Sequence, residues 1–181
     1  VCHNENWVED GRVYKEAICG PYRTYKELLF KGNCISTSAT VVRRSKLLEV
    51  GLFSENMNFN GVEDYELWLR LSKICKIKYL NETLGEYRIH GGSETSNIEM
   101  HNRNWLNVLE YHFDLWPNKT IYYKFMMRIE RANTIRCGGR MFLRVGNFAL
   151  AKSYLFRSLF LNLFSVKAWI LLSACMIRIK L

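Results

Sequence analysis

The spacing of apolar residues changes once along the chain, and this change limits the possible folds more than any other feature. In the first half, short apolar segments are separated by turn signals, of which Asp10-Gly11 favours a β-hairpin. In the second half, apolar residues recur at the helical period in long stretches with Pro117 as the only proline. The pattern predicts an α/β region over residues 1–96 and an α-helical tail over residues 97–181.

Further elements are predicted inside the α/β region. Residues 22–30 carry apolar side chains at the helical period, and Gly32 is placed to end that helix. Residues 33–42 are small, hydroxyl-rich and β-branched, which favours a strand that leads into a short helix with Ser45 as its N-cap. Two short strands are expected nearer the middle of the chain, at 77–80 and 84–89.

The tail is predicted to consist of amphipathic helices. Their expected positions are 96–114, 119–136, 140–145, 147–161 and 165–179. The apolar run at 168–177 is shorter than the ~20 residues that a membrane-spanning helix needs.

Two adjacent carboxylates, Glu63 and Asp64, precede a predicted helix of about 11 residues. Its apolar face is expected to carry Leu67, Trp68, Leu71, Ile74 and Cys75, and its polar face Glu66, Arg70 and Lys73. One interpretation is a helix start, since acids in the first turn interact with the helix dipole for ~0.3–1 kcal/mol. The other is a catalytic acid/base site, because neighbouring carboxylates separate each other's proton affinities.

Three more side chains are candidates for binding. Trp68 is in phase with the apolar face, so it is either a core residue or a platform that stacks on a sugar ring. His90 follows a predicted strand and precedes Gly91-Gly92, where the backbone can approach a ligand closely. It is either a surface histidine in a turn or a ligand for a divalent cation or a phosphate, with Arg88 on the same strand face.

The charge is strongly asymmetric. The chain has a formal net charge of +9, and residues 119–181 contain twelve Lys and Arg side chains against the single acid Glu130. Such a basic, aromatic-rich tail suits an anionic partner such as a membrane surface, a nucleic acid or a phosphorylated substrate. A solvated basic face on ordinary helices is the alternative. The six cysteines are scattered singly, which indicates free thiols in a reducing compartment.

Three blocks of sequence follow one another in residues 33–96. They are NCISTSATVVRRSKLLEVGLF from Asn33, EDYELWLRL from Glu63 and YRIHGGS from Tyr87. In order and spacing they resemble the second half of family-2 glycosyltransferases with the GT-A fold. The resemblance implies a partial GT-A-type mixed sheet with flanking helices in residues 1–96, followed by a helical C-terminal extension in residues 97–181.

The same resemblance implies an activity and a set of roles. The reaction would be an inverting, hexosyltransferase-type transfer from a nucleotide-sugar donor to a hydroxyl of a glycan or lipid-linked acceptor, as in polysaccharide or cell-envelope glycan biosynthesis. Asp64 would be the general base, Glu63 and Trp68 would contact the acceptor, and Arg88 and His90 would contact the diphosphate, with His90 also a metal ligand. Mg²⁺ or Mn²⁺ would be required by the complete enzyme.

One departure from the family pattern is important. Family members carry an N-terminal nucleotide-binding half with an Asp-x-Asp metal motif, and no Asp-x-Asp occurs in this chain. We therefore expect the chain to be the acceptor-side part of the enzyme, inactive by itself. Two hypotheses remain open: this glycosyltransferase fragment, and a non-catalytic module whose basic tail binds an anionic membrane surface or a protein. Nucleic-acid binding lacks a recognisable motif and is not expected. The expected location is the cytoplasm, peripheral on the inner face of the cell membrane.

Overall fold

The structure, a computed structural model, describes residues 1–88 and 97–179 of the chain. The chain divides into two compact units, Val1–Ser96 and Asn97–Leu181. The described residues form a small mixed sheet of three strands and seven α-helices, which confirms the predicted α/β class. The GT-A type of the fold stays a prediction.

The sheet has the strand order β2-β1-β3. Strand β1 (Cys2–Glu9) pairs antiparallel with β2 (Arg12–Ala17) and parallel with β3 (Tyr79–Arg88). The predicted hairpin is confirmed: Asp10 and Gly11 form the two-residue turn with φ values of 48° and 76°. The prediction of two separate short strands near residues 77–89 is wrong, because β3 runs without interruption to Arg88.

The parallel pair requires the chain to cross over the sheet between β2 and β3. Residues 18–78 make this crossover and contain three helices and a 3₁₀ turn. These are α1 (Tyr25–Lys31), α2 (Arg44–Glu49), the turn Met57–Phe59 and α3 (Glu63–Ile74). Helix α1 starts with a capping box between Thr24 and Glu27, and Gly32 ends it as predicted. The buried Tyr65 hydroxyl of α3 donates to the Leu28 carbonyl at 2.8 Å and so holds α3 on α1.

The prediction of a strand over residues 33–42 is wrong. This segment forms a turn at its centre, and only Thr40 makes a β-bridge, to Cys2. The hydroxyl-rich composition explains the difference, because Ser and Thr side chains compete with strand pairing by bonding to nearby groups. Thr40 Oγ1 donates to the Ser36 carbonyl at 2.7 Å. Ser45 is also not an N-cap. Helix α2 begins at Arg44, so Ser45 lies inside the helix and Arg43 is in the cap position.

The prediction that Glu66 lies on the polar face of α3 is wrong. This side chain is only 2 % exposed, and its carboxylate is paired with the guanidinium of Arg70 at 2.6–2.9 Å. The same guanidinium donates to the carbonyls of Val50 and Leu52, at the end of α2 and just beyond it. The pair therefore ties α3 to the preceding loop, which a solvated polar face would not do.

The second unit contains α4 (Ile98–Asp114), α5 (Ile121–Arg144), α6 (Phe148–Leu161) and α7 (Val166–Met176). The predicted break between residues 136 and 140 is wrong, because α5 passes through Gly138-Gly139 without interruption. A Cβ atom at Gly138 would lie 2.8 Å from Asn102 Nδ2, and one at Gly139 would lie 3.0 Å from Leu155 Cγ. The two glycines allow neighbouring helices to pack closely on α5.

Buried side chains hold the helices of this unit together. One core cluster joins α5, α6 and α7 and consists of Phe142, Leu143, Ala151, Leu155, Leu159, Ala168, Leu171, Leu172 and Cys175. Two buried hydrogen bonds link helices across the core: Asn102 Nδ2 donates to the Thr134 carbonyl at 2.7 Å, and Ser158 Oγ donates to the Ala132 carbonyl at 2.8 Å. In residues 1–88 and 97–179, no helix has both the length and the apolar character required to cross a bilayer.

We expect Arg70→Ala to destabilise the chain by ~3–5 kcal/mol, because it leaves the buried Glu66 carboxylate without its partner. The free energy of unfolding in urea measures this effect. The matched control is Lys46→Ala, which breaks the solvent-exposed pair between Lys46 and Glu49 and should change stability little. Equal stability of the two variants would contradict a structural role for the Glu66–Arg70 pair.

A second prediction concerns Glu130, which is 5 % exposed inside the helical unit. Burial raises the pKa of this carboxyl from 4.5 to about 7, against smaller lowering effects of an Asn133 hydrogen bond and the Arg136 charge. The folded state therefore binds the proton more tightly than the unfolded state, so stability falls as pH rises between these values.

Glu130→Gln should remove this fall. Relative to the unmodified chain, the variant should gain up to ~3 kcal/mol between about pH 4 and pH 8. Urea unfolding followed by helical circular dichroism across this range tests the prediction. Parallel pH profiles for the two proteins would show it to be wrong.

Candidate active site

A short turn at residues 36–39, which we name the hydroxyl turn, connects the sheet to the start of α3. Thr37 Oγ1 donates to Asp64 Oδ2 at 3.0 Å, and Ser38 Oγ donates to Glu5 Oε2 at 2.6 Å. The turn is held on β1 by a backbone bond of 3.0 Å from the His3 amide to the Ala39 carbonyl. Two carboxylates that are distant in sequence are thus fixed by neighbouring residues of one turn.

Asp64 lies in the first turn of α3 and is half-buried. Its other oxygen, Oδ1, accepts a 2.6 Å bond from the backbone amide of Tyr65, whose ring is fully buried against α1. Because one oxygen is held by α3 and the other by the hydroxyl turn, the orientation of the carboxylate is defined. Each oxygen still has a lone pair available for another proton donor.

The environment of Asp64 raises the pKa of its carboxyl above the ordinary value of 3.8. Burial is the largest cause, and the neighbouring Glu63 charge adds to it. The hydrogen bonds from Thr37 and from the Tyr65 amide act in the opposite direction. A carboxylate with a raised pKa is a stronger base than an ordinary aspartate, which suits it to accept a proton from a substrate.

Glu63 lies beside Asp64, and its side chain gives a second, independent indication that a ligand binds at the start of α3. Its Oε2 atom is buried and has no hydrogen-bond partner in residues 1–88 and 97–179. A buried polar atom without a partner is costly, so such atoms need a specific explanation. A hydroxyl of a bound ligand is one group that would satisfy this oxygen.

Glu5 was missed by the sequence analysis. It lies on β1 with 2 % of its surface exposed, and its oxygens accept from Ser38 and, at 3.2 Å, from the indole nitrogen of Trp7. Both donors are neutral groups, and together they hold the carboxylate in place. The sequence signal that could have indicated such a partner is the run of three hydroxyl residues from Ser36 to Ser38. The predicted strand gave these hydroxyl groups no hydrogen-bond partner.

Trp68 follows Asp64 by one helical turn and is 4 % exposed. It contributes to the wall of a cavity of about 560 Å³, together with Ile35, Thr40, Val41, Leu71 and Ile74. Its indole nitrogen is buried and has no hydrogen-bond partner within the described chain. A ligand could contact this side chain only from the cavity, and the acceptor-binding role of Trp68 stays a prediction.

Arg88, another predicted site residue, is not joined to these carboxylates by any described contact. Arg88 is exposed at the end of β3, where it pairs in register with Val8. Its described contacts do not reach Glu63 or Asp64. His90 lies outside the described residues, so its predicted roles at a diphosphate or a metal are untested.

The described residues do not fit a metal site. Nowhere in residues 1–88 and 97–179 do three or more His, Cys, Asp or Glu side chains come together in a way that could hold a metal ion. The carboxylates of Glu5 and Asp64 are instead occupied by hydroxyl and N–H donors.

Comparison with known proteins gives one relevant similarity. The chain is 32 % identical over 68 residues to an uncharacterized glycosyltransferase of Rickettsia prowazekii (strain Madrid E). The match covers 38 % of this chain and 19 % of that protein, so the chain matches only about a fifth of the relative's length. No family model matches the chain. No solved structure matches it either. The similarity supports a relationship to glycosyltransferases at the level of the enzyme class.

The contacts of Asp64 predict two opposite changes in its pKa. Thr37→Val removes a hydrogen bond to the charged form and should raise the pKa, whereas Glu63→Gln removes a neighbouring negative charge and should lower it. The chain contains three aspartates, so ¹³C-labelled aspartate gives three carboxyl signals in an NMR titration, and loss of one in Asp64→Asn assigns it. Thr37→Ser, which keeps the hydroxyl, is the control. Shifts of the same sign in Thr37→Val and Glu63→Gln would contradict the geometry.

Proposed function

We propose that the first unit is the acceptor side of an inverting glycosyltransferase of the family-2, GT-A type, in which Asp64 is the general base. The observation that carries the proposal is the pair of carboxylates at the start of α3. Asp64 is oriented through both of its oxygens and has a raised pKa, and Glu63 beside it has a buried oxygen without a partner in the described chain. The similarity to a glycosyltransferase supports the enzyme class.

The proposed reaction transfers a sugar from a nucleotide-sugar to an acceptor hydroxyl. The acceptor O–H donates to a free lone pair of the Asp64 carboxylate, and its oxygen attacks the anomeric carbon from the face opposite the nucleoside diphosphate. The new C–O bond forms as the bond to the diphosphate oxygen breaks. The diphosphate leaves with the electron pair, and the acceptor proton stays on Asp64. The negative charge nearby stabilises the oxocarbenium-like transition state.

Other residues of the site act by positioning. Thr37 holds one oxygen of Asp64, and Ser38, fixed by the buried Glu5, keeps the hydroxyl turn on the sheet. In this proposal Glu63 accepts a second hydroxyl of the acceptor. Such an arrangement selects a polyhydroxylated acceptor, because a single hydroxyl cannot satisfy both carboxylates in the productive orientation.

The remaining parts of the proposal concern the complete enzyme. The donor is a nucleotide-sugar, with Arg88 and His90 near its diphosphate, and the acceptor is a glycan or a lipid-linked sugar at the cytoplasmic side of the membrane. A divalent cation would neutralise the diphosphate, but the described residues supply no ligand set for it.

Asp64→Asn tests the proposal in a protein that joins this chain to a nucleotide-binding region. Removal of the base should lower sugar transfer by about 10²–10⁴-fold while leaving nucleotide-sugar binding nearly unchanged. Transfer is measured with a panel of radiolabelled UDP-, GDP- and dTDP-sugars, and donor affinity by calorimetry. The matched control is Asp10→Asn, in an exposed hairpin turn where asparagine is well tolerated. Undiminished turnover in Asp64→Asn would exclude the assigned role.

A further inference from the structure

The helical unit exposes a group of large apolar side chains at one end. Helices α5 and α6 run antiparallel, since Ala132 contacts Ser158 while Gly139 lies against Leu155. Arg128 of α5 donates to the Leu161 and Phe160 carbonyls at 2.7 and 3.2 Å. The first turns of α5 therefore extend past the last turn of α6, beside the loop that leads into α7.

We name the exposed side chains at this end the apolar tip. It consists of Ile121 and Phe125 of α5, Phe160 of α6, Leu163 and Phe164 of the loop, and Trp169 of α7. The indole nitrogen of Trp169 donates to the Leu163 carbonyl at 2.8 Å, which fixes the loop against α7.

The exposure of these side chains is unusually high for their size. Ile121 is 84 % exposed, Phe160 85 % and Phe164 91 %. Single exposed apolar residues are ordinary, but a group of them gathered at one end of a unit indicates a surface that is covered by a partner.

The charges around the apolar tip indicate which partner. Exposed cations lie on the same helices, namely Lys124, Arg128, Arg157 and Lys167. The only acid in residues 121–179 is Glu130, which is buried in the core with a raised pKa. The surface of these three helices thus presents aromatic and aliphatic side chains with cations and no exposed carboxylate.

We propose that the apolar tip inserts into the headgroup region of an anionic lipid bilayer. Aromatic rings are favoured at the boundary between headgroups and acyl chains, and Lys and Arg side chains are attracted to anionic headgroups. Because the described residues of α5, α6 and α7 expose no carboxylate, these helices do not repel such a bilayer. The exposed acid that precedes α5 in the sequence, Asp114, is paired with Lys119 at 3.1 Å. The unit lies on the membrane rather than crossing it, and this binding does not depend on glycosyl transfer by the first unit.

Vesicle co-sedimentation of the chain tests the proposal. Vesicles of phosphatidylcholine alone are compared with vesicles that contain about 30 mol% phosphatidylglycerol, and the anionic vesicles should bind at least about tenfold more tightly. The double variant Phe160→Ser, Phe164→Ser should lose about tenfold or more of this binding. Lys124→Glu, Lys167→Glu should weaken binding to anionic vesicles and remove most of its salt dependence.

The matched control is the double variant Tyr14→Ser, Phe53→Ser, which removes two exposed aromatic rings from the first unit and should bind as the unmodified chain does. Circular dichroism verifies that each variant is folded. Equal binding to neutral and anionic vesicles, or unchanged binding of the Phe160, Phe164 variant, would overturn the proposal. A lipid-free dimer that this variant dissociates in analytical ultracentrifugation would assign the apolar tip to a second copy of the chain instead.

Discussion

The parallel pairing of β1 with β3 is the constraint on which the first unit depends. Parallel neighbours cannot be joined by a tight turn, so residues 18–78 have to cross the sheet before β3 can form. The crossover places α1 and α3 together, with Tyr65 bonded to the Leu28 carbonyl, and brings the hydroxyl turn to the edge of β1. The candidate site exists only because this crossover closes, since its carboxylates come from β1 and from the start of α3.

Burial of a carboxylate is unfavourable, and the two units compensate for it in three ways. Glu66 is neutralised by Arg70, Glu5 is stabilised by the neutral donors of Ser38 and Trp7, and Glu130 has its pKa raised to about 7. Asp64 is an intermediate case: neutral donors hold it, yet burial still raises its pKa. The ion pair of Glu66 connects α3 to the end of α2, whereas at Asp64 the effect of burial on the pKa is only partly offset by hydrogen bonds, so this carboxylate stays basic. For this reason Asp64 is suited to accept a proton, whereas Glu66, on the same helix, has a structural role.

Local signals predicted several elements correctly because their physical causes are local. The Asp10-Gly11 turn needs only two residues with positive φ, and Gly32 ends α1 through backbone freedom of its own. Predictions failed where a distant partner decided the outcome. Glu66 was expected in solvent because its partner Arg70 is positioned by the Val50 and Leu52 carbonyls, which lie outside the helical pattern. The glycines of α5 were taken as a break, although their role is to admit neighbouring helices.

The pattern of residues alone was sufficient to nominate Glu63 and Asp64, to separate an α/β region from a helical tail, and to show that the tail is basic. It could not show that Thr37 and Asp64, 27 residues apart, share a hydrogen bond, or that Ser38 and Glu5, 33 residues apart, do so. Nor could it show that Arg128 of α5 bonds to the end of α6, which places the exposed aromatic residues of α5 and α6 toward one end of the tail. Periodicity reports which face of an element is apolar, but contacts between elements arise only when the chain closes into its tertiary structure.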